Sequence, residues 1–306
     1  MPVPCPSCSS HQTLLLGEIS SKNLFAGRIL TVPLSGGFLY ECKTCFLLFR
    51  FPRLTDSDFN TLYRQADKAT WSSRSEERKD WFIAATWLKS ALERGMILDV
   101  GCSDGGFLDS LGSRYKRHGI EINDQASQEA KRRGIHIIGT DFADLEELSG
   151  TYDAVTALDV IEHVPDPFRF LALLAKVTRP GGTLIISTGN TDAPSWRLMG
   201  SRYLYCTIAE HISFINARWC HQAATRLGLQ VCRMEKFSHR NATFPRRISE
   251  LMKNLFYLFF PRAAAWLRKK RLAGKVEVSV DASLQNHPPV WGSAKDHFMI
   301  LFQKGS

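Results

Sequence analysis

A chain of 306 residues with 44% hydrophobic content and no low-complexity tract has room for one large domain plus a small appendage, which excludes a disordered or fibrous protein. The net charge of +9 is local: nine Lys and Arg residues lie between Pro245 and Lys275 against Glu250 alone, so it does not mark the whole fold as a nucleic-acid binder. No apolar run reaches the ~18 residues of a membrane span, and Met-Pro-Val-Pro-Cys lacks the charged and apolar regions of a signal peptide. Both features predict a cytoplasmic protein, with the basic segment leaving room for association with a membrane surface.

The first chemistry in the chain is a pair of knuckles, Cys5-Pro-Ser-Cys8 and Cys42-Lys-Thr-Cys45. In a reducing compartment such thiolate pairs favour one tetrahedral Zn2+ over disulfides. Four thiolates leave no open coordination position, so Cys5, Cys8, Cys42 and Cys45 predict a structural metal and a zinc-ribbon-like segment over residues 1–52. The 33-residue interval between the knuckles can hold a β-hairpin, with Ser35-Gly-Gly as its turn. Residues 53–95 read as a helical linker. Trp81, Ala84, Ala85 and Leu88 recur at i, i+3, i+4 and i+7, giving one apolar face that would cover a bound cofactor.

Residues 96–306 carry an α/β pattern. Strands are predicted near 96–100, 118–122, 135–138, 153–158 and 182–188, and helices near 105–116, 124–134, 167–178 and 216–227. Asp166-Pro167 gives an N-cap with proline at the first helical position, and Pro180-Gly-Gly is expected to stop that helix. Leu229 to Lys236 and His297 to Gln303 supply two further strands. The segment Ile97-Leu-Asp-Val-Gly-Cys-Ser-Asp-Gly-Gly-Phe-Leu is a strand, a glycine turn and a helix start, the nucleotide-binding corner of a doubly wound sheet. Its loop lacks the Gly-x-Gly-x-x-Gly spacing that lets backbone approach a pyrophosphate. Glu121 ends the next strand about 20 residues on, where a carboxylate accepts hydrogen bonds from ribose hydroxyls. A ribose clamp without a pyrophosphate cradle suits a nucleoside ligand without phosphates, such as S-adenosylmethionine.

Two further blocks carry a family resemblance. Thr151-Tyr-Asp-Ala-Val-Thr-Ala-Leu-Asp-Val-Ile-Glu-His-Val-Pro-Asp-Pro resembles the fourth strand and following loop of class I S-adenosylmethionine-dependent methyltransferases, and Arg179-Pro-Gly-Gly-Thr-Leu-Ile-Ile-Ser-Thr resembles their turn into strand five. The Cys-x-x-Cys-Phe-Leu-Leu-Phe run with Pro52, Asp58 and Tyr63 resembles the N-terminal ribbon of bacterial methyltransferases that act on sugars and secondary metabolites. The resemblance implies a Rossmann-like seven-stranded sheet in the order 3-2-1-4-5-7-6 with strand seven antiparallel. It also implies roles for single residues. Asp99 would reach the methionine amino group; Gly101 and Gly105 would let backbone approach; Cys102 and Ser103 would offer amides along the methionine. Glu121 would clamp the ribose, Ile122 pack on the adenine, and Asp141 and Phe142 bond and stack its ring. Leu158 and Asp159 complete the cofactor side.

Methyl transfer to a hydroxyl or amine also calls for a base, and His163 and His211 are the candidates. Asp159-x-x-Glu162-His163 resembles the Glu-x-x-Glu-His of quinone-biosynthesis O-methyltransferases, which bind a divalent ion, so a second metal at Asp159, Glu162 and His163 is an option. Trp196, Tyr203, Tyr205 and Glu210 would border the acceptor.

An insertion near 241–292 separates the last two strands. Its aromatic run flanked by cations over 245–275 reads as two short interfacial helices, contacting a membrane or an amphiphilic substrate, or as a lid over the site. The expected function is methylation of a small-molecule acceptor: a sugar, a polysaccharide or lipid-linked molecule, or a quinone-like ring. The alternatives are an RNA methyltransferase, a non-catalytic cofactor-binding adaptor and an oxidoreductase. Against RNA stand the apolar density of the insertion and Leu158-Asp-Val-Ile in place of an Asn-Pro-Pro-Tyr motif.

Overall fold

The computed structural model describes residues 3–66, 78–238, 240, 242–269 and 288–305. The predicted linker residues 67–77 and the basic Lys270, Arg271 and Lys275 lie outside the described residues.

The N-terminal segment runs through β1 (Thr13–Glu18), β2 (Lys22–Phe25), β3 (Arg28–Leu34), β4 (Phe38–Cys42) and β5 (Leu48–Phe51). Its hairpin is not where the sequence suggests. β2 and β3 pair across Ala26-Gly27, whereas Ser35-Gly36-Gly37 carries the chain out of that pair and into β4, which pairs with β1 and β5. Two helices follow, α1 (Asp56–Arg64) and α2 (Lys79–Ala91).

The remaining elements alternate as expected for a doubly wound fold: β6 (Gly95–Val100), α3 (Gly106–Ser110), β7 (Tyr115–Ile120), α4 (Asp124–Arg132), β8 (His136–Gly139), β9 (Tyr152–Leu158), α5 (Pro167–Val177) and β10 (Thr178–Gly189). Then come α6 (Pro194–Met199), α7 (Leu204–Thr207), β11 (Ser213–Phe214), α8 (Ala217–Leu227), β12 (Leu229–Phe237), α9 (Phe244–Phe259), α10 (Pro261–Lys269) and β13 (His297–Lys304). The central sheet has the order β12-β13-β10-β9-β6-β7-β8, with β13 antiparallel to both neighbours. Numbered within the sheet, this is 3-2-1-4-5-7-6.

Alternation along the strands builds two layers. Ile97, Ala154 and Ile185 face Trp81, Ala84, Trp87 and Leu88 of α2 and Ala130 of α4. Leu98, Val155, Leu184 and Ile186 face Phe170, Leu171 and Leu174 of α5 and Trp219 and Ala223 of α8. Caps fix the helix starts: Asn123 Oδ1 accepts from the amides of Gln125 and Ala126, and Asp166 Oδ1 from those of Phe168 and Arg169.

Two boundaries differ from expectation. α3 stops at Ser110 and β7 begins at Tyr115, whose buried ring and hydroxyl bond to the Leu92 carbonyl (2.8 Å) anchor the strand early. Pro180-Gly-Gly does not stop α5; Thr178 is already in β10, and the Pro-Gly-Gly forms a register shift inside that strand.

The N-terminal segment is stitched to the central domain. β11 adds to β5 as the fourth strand of its sheet, and Trp219 Nε1 donates to Ser7 Oγ (3.0 Å). Arg50, buried, donates to the carbonyls of Cys206, Ile208 and Ala209.

Candidate active site

A cavity of about 590 Å³ opens at the C-terminal ends of β6, β7 and β9, where ligands of open α/β sheets bind. Asp99, Gly101, Cys102, Ser103, Glu121, Ile122, Asp141, Phe142, Leu158 and Asp159 all line it. Gly105 does not. Its φ of +76° turns the chain into α3, and a Cβ there would lie 2.9 Å from Ile135 and 3.1 Å from Ala130, so it serves close packing instead.

Glu121 organises this half of the cavity. Its Oε2 accepts from the Ser103 amide and its Oε1 from the Asn123 amide, both at 2.8 Å. The Ser103 amide expected to face the cofactor is therefore taken, and the Cys102 amide is spent on the Ile120 carbonyl (3.1 Å). Burial raises the Glu121 carboxyl above its ordinary value, against the lowering effect of those amides. Asp99 accepts from Thr156 Oγ1 (2.6 Å); burial raises it to about 7, with the Thr156 bond opposing. Asp141 accepts from the Ala143 amide (3.1 Å) and caps the turn that carries Phe142, which packs on Phe170.

The opposite half is lined by Tyr63, Glu162, His163, Tyr205, Glu210, His211 and His297. Glu162 is fully buried; Oε2 accepts from Thr188 Oγ1 (2.8 Å) and Oε1 from the Tyr205 hydroxyl. Burial and then the Asp159 charge raise it to about 7. His211 Nδ1 lies 3.0 Å from the Tyr205 carbonyl, which only accepts, so that nitrogen carries the hydrogen and Nε2 holds the lone pair. His163 Nδ1 lies between the Tyr63 hydroxyl and the Glu210 carbonyl. Burial lowers the pKa of both imidazoles, and for His211 the neighbouring His163 adds to the effect. For His297 burial also pulls downward, but the Asp296 carboxylate, 3.0 Å from Nδ1, outweighs it and the net shift is upward.

A scan against family models matches residues 73–233 to a methyltransferase domain. The chain belongs to the class I S-adenosylmethionine-dependent methyltransferases. It is 34% identical over 138 residues to the ubiquinone biosynthesis O-methyltransferase of Aeromonas salmonicida, covering 42% of this chain and 56% of that one. With the Aromatoleum aromaticum protein of the same description the identity is 28% over 188 residues, 54% and 75% of the two chains. The matches span about half the length of the first of these relatives. A solved Bacillus halodurans candidate methyltransferase shares the fold at a TM-score of 0.51 and 13% identity, over 73% of this chain and 98% of that one.

In this methyltransferase the expected metal triad is not the group the fold assembles. Asp159, at φ +55°, turns away to Arg78 (3.1 Å) and Ser187 (3.1 Å), while Glu162, His163 and His211 offer ligand atoms within 4.8 Å of one another. Trp196 and Tyr203, expected at the acceptor, are core residues: both are buried, and Tyr203 donates its hydroxyl to Asp296. Arg78 and His297 line the cavity without a sequence motif to announce them. Arg78 bonds Asp80 and Asp159 above the Trp81 ring, a contact hidden in sequence because Asp159 is 81 positions away.

At the N-terminus, Cys5 Sγ lies 3.5 Å from Cys45 Sγ and Cys8 Sγ 3.6 Å from Cys42 Sγ, with all four within 4.8 Å. Tetrahedral Zn–S bonds of about 2.3 Å place sulfurs about 3.8 Å apart, so the four thiols have the dimensions of a zinc site.

Proposed function

We propose that this chain methylates a hydroxyl of a small, ring-bearing acceptor, quinone-like or sugar-like. The observation that carries the reading is the group of buried Glu162 and His211 with half-buried His163, which shares one cavity with Glu121.

The cofactor half fits S-adenosylmethionine. Each Glu121 oxygen accepts one amide and keeps a second lone pair, leaving two acceptor positions for two ribose hydroxyls. Ile122 and Phe142 give the adenine apolar walls, with Asp141 at its edge; Asp99 is the acid for the methionine ammonium, and Gly101, Cys102, Ser103, Leu158 and Asp159 shape the rest of the wall. When bound, S-adenosylmethionine supplies a methyl group already activated by sulfonium charge.

What the protein adds is alignment, exclusion of water and a base. His211 Nε2 is the base its tautomer makes available, held neutral by burial. Nε2 would take the proton of the acceptor hydroxyl as that oxygen is methylated. His163, fixed by Tyr63 and Glu210, orients the acceptor and is the second candidate for that proton.

A second reading has a specific observation behind it. Glu162, His163 and His211 are a ligand set for a divalent ion that would bind two neighbouring hydroxyls of the acceptor. Cys5, Cys8, Cys42 and Cys45 are proposed to hold a structural Zn2+, away from the cavity, which no described residue before Phe59 lines.

Methyl-labelled S-adenosylmethionine, incubated with the protein and fractionated cell extract, tests the reading. Label in organic-soluble or small aqueous pools supports it. Label in RNA overturns it, and none despite measured cofactor binding points to an adaptor. Activity that survives chelation strong enough to strip Glu162, His163 and His211, with the four-cysteine site still loaded, removes the catalytic-metal reading.

A further inference from the structure

α9 is an amphipathic helix turned inside out. At about 100° per residue, Phe244, Ile248, Met252, Phe256 and Phe259 share one face, and all are exposed, Phe244 by 75% and Phe259 by 69%. The buried side is the polar one. Glu250 accepts from the Ser293 amide (2.9 Å) and from Arg246 Nε (3.1 Å), and Asn254 Nδ2 donates to the Glu250 carbonyl (2.9 Å). Tyr257, also buried, joins the aromatic cluster that contains Tyr205 of the cavity wall. Polar bonds thus hold the helix in place and the aromatic stripe is left facing out, the reverse of a helix packed for its own fold.

The charge around the stripe says what covers it. On the helical wheel Arg247 and Lys253 fall on its two flanks, and both are exposed. Beyond the break at Pro261, α10 adds exposed Arg262 and a 55% exposed Trp266. A second copy of the same face would bring these cations against each other. An anionic bilayer surface instead takes the aromatic groups at the acyl boundary and the cations among its phosphates. No helix among the described residues is long and apolar enough to cross a membrane, so contact through α9 and α10 lies in the plane of the interface.

We propose that α9 and α10 dock this protein on an anionic lipid surface, with the acceptor end of the cavity behind the docked helix.

Flotation with phosphatidylcholine vesicles, alone or with phosphatidylglycerol, tests this without cofactor or acceptor, so its outcome is separate from that of the methyl-transfer reading. The protein should float with the anionic vesicles, and added salt should weaken the binding. Phe244→Ser/Met252→Ser/Phe259→Ser should lower partitioning about tenfold or more with the melting temperature unchanged, since all three side chains are exposed. Arg247→Glu/Lys253→Glu should erase the preference for anionic lipid. Failure to bind either vesicle at low salt, or a triple variant that floats like the parent, overturns the proposal. So does a dimer in solution that ignores vesicles and that the triple substitution dissociates.

Discussion

Replacing Glu121 by Gln is the sharpest perturbation of the cofactor half. The carboxylate holds the Ser103 and Asn123 amides at 2.8 Å and presents its remaining lone pairs to the cavity. Gln keeps the shape but loses the charge and puts an NH2 where one oxygen accepted. Hydrogen bonds to a charged group contribute about 1.5–3 kcal/mol against about 1 for neutral ones. Two ribose bonds lost or weakened should therefore cost about 1–3 kcal/mol, or roughly 5–150-fold in Kd for S-adenosylmethionine. Ala is a poorer test, since it orphans both amides and disturbs the loop that Ser103 holds at φ +49°. Titration calorimetry of the Gln variant, with its thermal melt compared with the parent, measures the effect. The parent's affinity should itself decline as the solution is acidified, because burial raises the Glu121 carboxyl and the protonated form cannot accept at both oxygens. A folded variant with affinity within about twofold of the parent refutes the assignment, because interactions of this class cannot vanish at so small a cost.

Removing either imidazole, as His211→Ala or His163→Ala, should lower kcat by about 10²–10⁴-fold for the residue that takes the proton, with cofactor Kd little changed. Since burial lowers both imidazoles, the acidic limb of kcat, read with cofactor and acceptor saturating so that Asp99 and Glu121 are already engaged, should fall below pH 6.5, and a limb above that value would exclude both as the base. Metal analysis should find one zinc per chain from the four cysteines, and Cys5→Ser should lower the melting temperature while leaving cofactor affinity intact; a parallel loss of affinity would make the ribbon part of the site. Asp99 and Glu162, both raised to about 7, keep protons in the folded chain that the unfolded chain has released. Their contribution is full below about pH 4 and is lost as pH rises through about 7. Asp99→Asn should flatten that part of the stability profile of the cofactor-free protein.

The sequence is most legible where one residue's environment is set by its near neighbours. The apolar strands, the Asn123 and Asp166 caps and the glycine corner at Gly101 depend on local pattern, and the sheet order came with the family resemblance. The contents of the cavity wall needed more, because a wall is assembled from distant segments. Asp159 and Glu162 are three positions apart, yet a left-handed turn at Asp159 sends the first to Arg78 while the second faces His211. Spacing alone could not reveal that split, nor that the amides of Cys102 and Ser103 were already bonded within the loop.

α9 makes the same point from the surface. Its periodicity shows that it has an apolar face, but not whether that face turns inward or outward. That choice is made by Glu250, whose partner Ser293 lies 43 residues on. A carboxylate buried against a backbone amide and a serine hydroxyl fixes one rotation of the helix, and the opposite rotation would bury the aromatic stripe and leave those donors unpaired. The outward stripe is therefore a consequence of satisfied polar groups beneath it. It follows that Glu250→Ala should loosen α9 without removing its hydrophobic character, whereas Phe259→Ser should leave the helix seated and change only what it meets outside.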